Sequence, residues 1–256
     1  MNNIIYDDEY ILLNNNRLLS PYKYKIQPRY MPEINEFIES QGNPSVKDKN
    51  TVNDKHKIFL MHVYKYQYNK MLTEICRLSG FPGGTGSKIA KTCVKKKLIK
   101  NIKVPFLRGV PKFSVLTPRG YEILGLQEKK FNGRGAGDFH TICQFLISNH
   151  FSDYNPIIEC YLNNKFVDVA IEVGGKLVCI EIELNETEHI KENIEKDIIS
   201  AAEDYKDYVV IVCCEKKLLS KVQEIVSDLQ ENMKNNTRIY LISDLLKMNP
   251  DEILAL

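Results

Sequence analysis

The stretch FVDVAIEVGGKLVCIEIEL (166–184) decides the fold. Two runs rich in valine and isoleucine are separated only by Gly174-Gly175, a strong β-hairpin signal. A two-residue loop sets Val173 opposite Lys176, and the same register sets Asp168 opposite Glu181. Strand alternation then places Val167, Val169, Ile171, Val178, Ile180 and Ile182 on one face, with Asp168, Glu181 and Glu183 on the other. Cross-strand neighbours have Cα atoms about 4.5–5.5 Å apart. Two carboxylates at that separation repel and need compensation, which a divalent metal with oxygen ligands supplies. The alternative is an acidic sheet face with its carboxylates splayed into water. Strands this rich in Val and Ile usually lie in a covered sheet, which favours the metal.

Working outward, Asp138 caps a helix running to about His150, with Phe139, Ile142, Cys143 and Leu146 as its apolar stripe. A strand over 157–162 and an Asn163-Asn164 turn lead into the hairpin. A helix over 185–204 follows it. Ile190, Ile194, Ile198 and Ala201 form its packing face, and His189, Asn193, Lys196 and Ser200 form a separate stripe free of acids. A strand over 208–214, a helix over 217–232 and a strand over 238–243 complete the order α-β-β-β-α-β-α-β.

Charge separates this region from the one before it. Eleven basic residues and no acid lie between Ile75 and Tyr121, leaving 24 basic and 33 acidic residues elsewhere in a chain of net charge +2. A basic block of that kind suits a polyanion. Helices are expected over 55–69 and 71–78. FPGGTG (81–86) reads as a turn, and Ser87 as the cap of a third helix over 88–97. Strands over 99–104 and 113–116 flank a loop, and Thr117-Pro118 opens a last helix. These are the parts of a winged helix, with the third helix as recognition helix and Arg108 at the wing tip. Lys88, Lys91 and Lys95 fall at i, i+3, i+7 on one face of that helix, with Lys112 on the hairpin. The same face also suits a protein-interaction module with a solvated basic surface. Neither GFPGGTGSK nor GRGAG (133–137) has the register of a phosphate-binding or dinucleotide loop.

Composition bounds the rest. With 43% apolar and 27% charged residues, 256 residues suffice for two globular domains. The longest apolar run, 208–214, is far short of the ~20 residues that span a bilayer. MNNIIYDDEY has acids where a signal peptide needs basic and then apolar residues. Seven cysteines without a C-x-x-C fit a reducing cytosol, and five histidines show no zinc spacing. A cytoplasmic protein with no membrane association is expected. The expected segments are an extension and linker (1–53), a winged helix (54–126), a linker (127–137) and an α/β domain (138–256). Tyr6, Tyr10 and Ile11 to Leu13 offer a short strand or a packing segment in the extension.

Asp168, twelve residues, then Glu181-Ile182-Glu183 resembles the PD-(D/E)xK nuclease motif, and the αβββαβ order resembles the core of that restriction-endonuclease-like superfamily. The run from LTPRGYEILG through CIEIELNETEHIKENIEKDI resembles winged-helix nucleases encoded on bacterial mobile elements. The endonuclease subunit of heteromeric transposases has the same two parts in reverse order. The resemblance implies an α+β fold with a central mixed sheet and a Mg²⁺- or Mn²⁺-dependent endonuclease acting on duplex DNA. It implies Asp168, Glu181 and the Ile182 carbonyl as metal ligands, and Asp138 as the acidic residue of the first helix. Glu159 is a weaker acidic candidate. Glu183 stands where the motif has lysine, and Lys196 is the candidate for a lysine migrated to the following helix. His189 is a candidate phosphate or water contact, and equally a surface histidine beside two glutamates. A homodimer or a partner subunit is implied for double-strand cleavage. The competing readings are a non-catalytic DNA-binding regulator and a structural subunit of a DNA-processing complex.

Overall fold

The computed structural model describes residues 11–13, 17–19, 52–128, 137–162, 165–205 and 208–255, with side chains described for 52–128, 137–160, 166–199 and 208–255. The fold is mixed α/β. Its described residues divide into two units: those up to 19 together with Cys143 onward, and those from 52 to Ile142. Tyr6, Tyr10, the Asn163-Asn164 turn and most of the two expected linkers lie outside the described residues.

The second of these units comprises α1 (Asp54–Tyr66), α2 (Leu72–Leu78), α3 (Gly83–Lys95), β3 (Ile99–Lys103), β4 (Lys112–Leu116) and α4 (Pro118–Leu124). The order is the one expected. The start of α3 is not: the helix begins at Gly83, so FPGGTG supplies its first turn rather than a turn before it. Close packing explains the composition. A Cβ on Gly86 would fall on the Phe81 carbonyl oxygen and against the Cys76 side chain, so only glycine lets α3 lie this near α2. Thr117 caps α4 through the Gly120 N–H, with Pro118 at the first helical position. Phe59, Leu60, Ile75, Ile89, Cys93 and Leu116 form the centre of the core. Gln67 is buried but satisfied, donating to the Tyr121 hydroxyl at 2.8 Å and accepting from the Leu116 N–H at 3.2 Å.

The other unit carries one seven-stranded sheet in the order β1-β2-β5-β6-β7-β8-β9. The strands are β1 (Ile11–Leu13), β2 (Arg17–Leu19), β5 (Ile157–Leu162), β6 (Lys165–Val173), β7 (Lys176–Glu183), β8 (Tyr208–Cys213) and β9 (Thr237–Leu241). Pairing is antiparallel from β1 to β7 and parallel from β7 to β9. The N-terminal extension thus adds two strands to the sheet, with Leu18 paired to Tyr161. The helices are α5 (Asp138–His150), α6 (Ile190–Tyr205), α7 (Lys216–Ser227) and the short α8 (Glu231–Asn235), α9 (Ile242–Leu245) and α10 (Pro250–Ile253). The expected helix over 185–204 starts five residues later, and the expected helix over 217–232 is split into α7 and α8.

Ile190, Ile194 and Ile198 pack with Val209, Ile211 and Cys213 of β8 and with α7. Each buried isoleucine is worth about 1.5–3 kcal/mol. The exposed Lys191–Glu195 pair at 3.8 Å on the same helix is worth about 0.3–0.5 kcal/mol. Burial, not ion pairing, therefore holds α6 on the sheet. Val210 and Val212, which alternate with the residues under α6, are buried too, so β8 is covered on both faces.

The hairpin has the register read from Gly174-Gly175: Val173↔Lys176, Ile171↔Val178 and Val169↔Ile180 are paired. Strict alternation fails one step further on. Val167 packs with Cys160, Ala170, Leu177 and Cys179 instead of sharing the face of Val169 and Ile171. The β5–β6 ladder passes from Ile158↔Val169 to Cys160↔Val167, omitting Glu159 and Asp168. Glu159 has φ of 54°, a left-handed conformation rare for a glutamate inside a strand. The strand turns over locally there, and the side chains beyond it change face.

Candidate functional site

Asp168 sits at this irregularity. The β6–β7 pairing stops at Val169↔Ile180, and the next inter-strand donor, the Ile182 N–H, is taken by the Asp168 side chain, Oδ2 accepting at 2.8 Å. In a continued ladder that N–H would meet the backbone of Val167. The carboxylate therefore stands between the strands in place of a peptide carbonyl. Its other oxygen, Oδ1, accepts from the Gln144 amide nitrogen at 3.1 Å.

Glu181 lies one residue before Ile182, in register with Ile211 of β8. It is only 7% exposed. A buried carboxylate must be paired, hydrogen-bonded or bound to a cation. The hairpin pairing ends at Val169↔Ile180, one step short of the expected Asp168–Glu181 pair. Glu183 is half-buried at the end of β7, and its carbonyl accepts from the Cys214 N–H at 3.1 Å.

Two thiols adjoin these carboxylates. Cys143 Sγ lies 4.0 Å from Cys214 Sγ. The contact with Cys214, then burial, push the Cys143 thiol well above the usual range, with the Asp168 charge adding to the effect. Burial, then the Glu183 charge, push Cys213 up to about 12. Cys143 and Cys213 are therefore thiols at neutral pH and not nucleophiles.

The remaining expected residues fall elsewhere. Asp138 accepts from the Tyr68 hydroxyl at 2.7 Å and pairs with Lys100, so it serves the unit ending at Ile142. The α5 residue that meets Asp168 is Gln144, six residues on and about 240° round the helix. Lys196 is exposed, on the side of α6 turned away from Ile190, Ile194 and Ile198. His189 is exposed, with Nδ1 2.8 Å from Glu192 and Nε2 3.6 Å from Glu188, which matches its surface reading. Lys88, Lys91 and Lys95 are exposed on α3, as are Arg108 and Lys112 on the β3–β4 hairpin. At the hairpin tip Val110 is 45% exposed with φ of 46°, a strained setting for a β-branched residue.

Sequence reasoning missed Gln144. A signal for it exists. Between Asp138 and Asp153 there is no lysine, arginine or acid, and a helix without charges is buried almost all round. A glutamine in such a helix needs a polar partner.

Among the described residues no three His, Cys, Asp or Glu side chains are grouped to hold a metal ion. The oxygen donors near Asp168 would be its own carboxylate, that of Glu181, and amide and peptide oxygens. That set suits a hard cation such as Mg²⁺, which keeps several waters and takes only one or two carboxylates. One feature beyond the carboxylates fits this: Gln144 Oε1 is buried beside Asp168 with no hydrogen-bond partner among the described residues. No helix among the described residues is long and apolar enough to cross a membrane.

No family model and no curated protein matches the sequence. Among solved structures the chain is similar to protein VC1899 from Vibrio cholerae, at 10% identity and a TM-score of 0.33. The match covers 88% of this chain and 56% of that one, so the chain spans little more than half its length. A likeness at that score bears on neither fold nor activity.

Proposed function

We propose that the protein is a metal-dependent DNA endonuclease: a PD-(D/E)xK-type core over 138–256, brought to duplex DNA by a basic winged helix over 54–126. The observation that carries the reading is the Asp168 carboxylate set between β6 and β7, bonded to the Ile182 N–H, with the buried carboxylate of Glu181 on the adjacent residue of β7. A purely structural sheet gains nothing from two acids at that place. The basic face of α3 and the hairpin supports the DNA-binding half, since eleven cations without an acid in one stretch favour phosphates.

In this reading Asp168, Glu181 and the Ile182 carbonyl hold the cation. Bound Mg²⁺ or Mn²⁺ supplies Lewis acidity at the scissile phosphate and a water of lowered pKa. Glu183 would accept a proton from the attacking water, directly or through another water. Lys88, Lys91, Lys95, Arg108 and Lys112 position the duplex through its phosphates. Cleavage of both strands needs a second site, from a homodimer or a partner subunit.

A second reading is a non-catalytic DNA-binding regulator, or a subunit of a DNA-processing complex, with a degenerate nuclease core. Glu183 at the motif-lysine position and the outward-facing Lys196 favour it. Nicking of supercoiled plasmid with Mg²⁺ or Mn²⁺ decides between the two. Asp168→Ala and Glu181→Ala are expected to abolish nicking while keeping duplex affinity. Wild-type protein that binds DNA without nicking it favours the second reading.

A further inference from the structure

Gln144 is 1% exposed and contacts Asp168 with only one end of its amide. The orientation follows from chemistry: an ionised carboxylate only accepts, so the NH₂ and not the oxygen must contact it. Oε1 is then left buried without a donor among the described residues. A side chain needed only to fill this space would be served by methionine, which is nearly isosteric and has no such oxygen. A buried acceptor beside a carboxylate already fixed by the Ile182 N–H has a natural complement in a strongly polarised water.

We propose that Gln144 is a positioning residue of the cation site: its amide nitrogen orients Asp168, and its buried carbonyl oxygen accepts a hydrogen bond from a water carried by the divalent cation. The proposal rests on the reading of Asp168 and Glu181 as cation ligands. It adds a neutral residue on α5 that presets cation affinity without contributing charge.

The test is Mn²⁺ binding to the full chain, followed by electron paramagnetic resonance and calorimetry, with melting curves in chelator and in Mn²⁺. Gln144→Met is expected to weaken Mn²⁺ binding by ~10-fold or more, on the scale of outer-shell partners at metal sites. Its melting temperature in chelator should change little, since removing the orphaned oxygen offsets loss of the amide hydrogen bond to Asp168. Gln144→Glu sets two carboxylates together, so it should melt lower in chelator and gain more from Mn²⁺ than the wild type gains. Should the methionine variant fail to fold, the glutamate variant decides. Equal Mn²⁺ affinity in wild type and Gln144→Met, with binding lost in Asp168→Asn, overturns the role of Gln144 and leaves the nuclease reading standing. A wild-type chain that binds no Mn²⁺ overturns both.

Discussion

Replacing Asp168 by asparagine separates two accounts of the same carboxylate. From the hairpin register alone, the substitution relieves repulsion with Glu181, worth about 0.2–1 kcal/mol, and the metal-free fold should hold or gain stability. The structure adds a larger opposing effect. The Asp168 carboxylate accepts from both the Ile182 N–H and the Gln144 amide. Asparagine has one acceptor oxygen, and its NH₂ would face one of these donors. Losing one charge-assisted hydrogen bond costs about 1.5–3 kcal/mol, which exceeds the relief. The net loss is about 1–2 kcal/mol. At about 2–4 °C per kcal/mol for a protein of 150–250 residues, Tm in chelator should fall by roughly 2–8 °C. Adding Mn²⁺ at 100 times its Kd should stabilise the wild type by about 2.7 kcal/mol and the variant far less. Calorimetry or circular dichroism with and without Mn²⁺ reads both. An asparagine variant that melts at or above the wild type in chelator would refute the hydrogen-bond account.

Replacing Lys91 and Lys95 together by alanine should make the slope of log affinity against log salt shallower, by ~0.9 for each phosphate that is no longer neutralised, as read by anisotropy on duplex DNA. Lys196→Ala should nick plasmid within about twofold of the wild type, as Lys191→Ala should, because Lys196 faces away from the sheet; a ~100-fold loss, the scale of one oxyanion donor, would return it to the site. Gly86→Ala should lower the melting temperature of the 54–126 region, because the added methyl group meets the Phe81 carbonyl; an unchanged melt would show that α2 and α3 can part. Burial, outweighing a backbone hydrogen bond to Ile58, holds the His62 imidazole below its ordinary pKa. The unfolded chain therefore binds the proton first, and stability should fall as pH drops below about 6.5 and be flat just above it. Chemical denaturation at pH 5.5 and 7.5 should show a smaller difference in His62→Gln than in the wild type.

Periodicity and the Gly174-Gly175 turn were enough to define the hairpin and its register as far as Val169↔Ile180, because a two-residue loop leaves one pairing and a period of two sorts side chains by face. The basic character of α3 was equally legible, since charge and helical spacing are both local. Three features needed the tertiary structure. Glu159 takes a left-handed backbone that no residue type announces, and through it Cys160 and Val167 change face. Gln144 meets Asp168 across 24 residues of sequence. Lys196 turns away from the sheet because three isoleucines on the opposite side of α6 are buried, and their burial outweighs anything a single lysine gains at an anionic site. Local pattern sets which residues each strand and helix presents together. Only the packing of distant elements decided which of those faces meet, because that choice rests on burial and hydrogen bonding between segments with no local pattern in common.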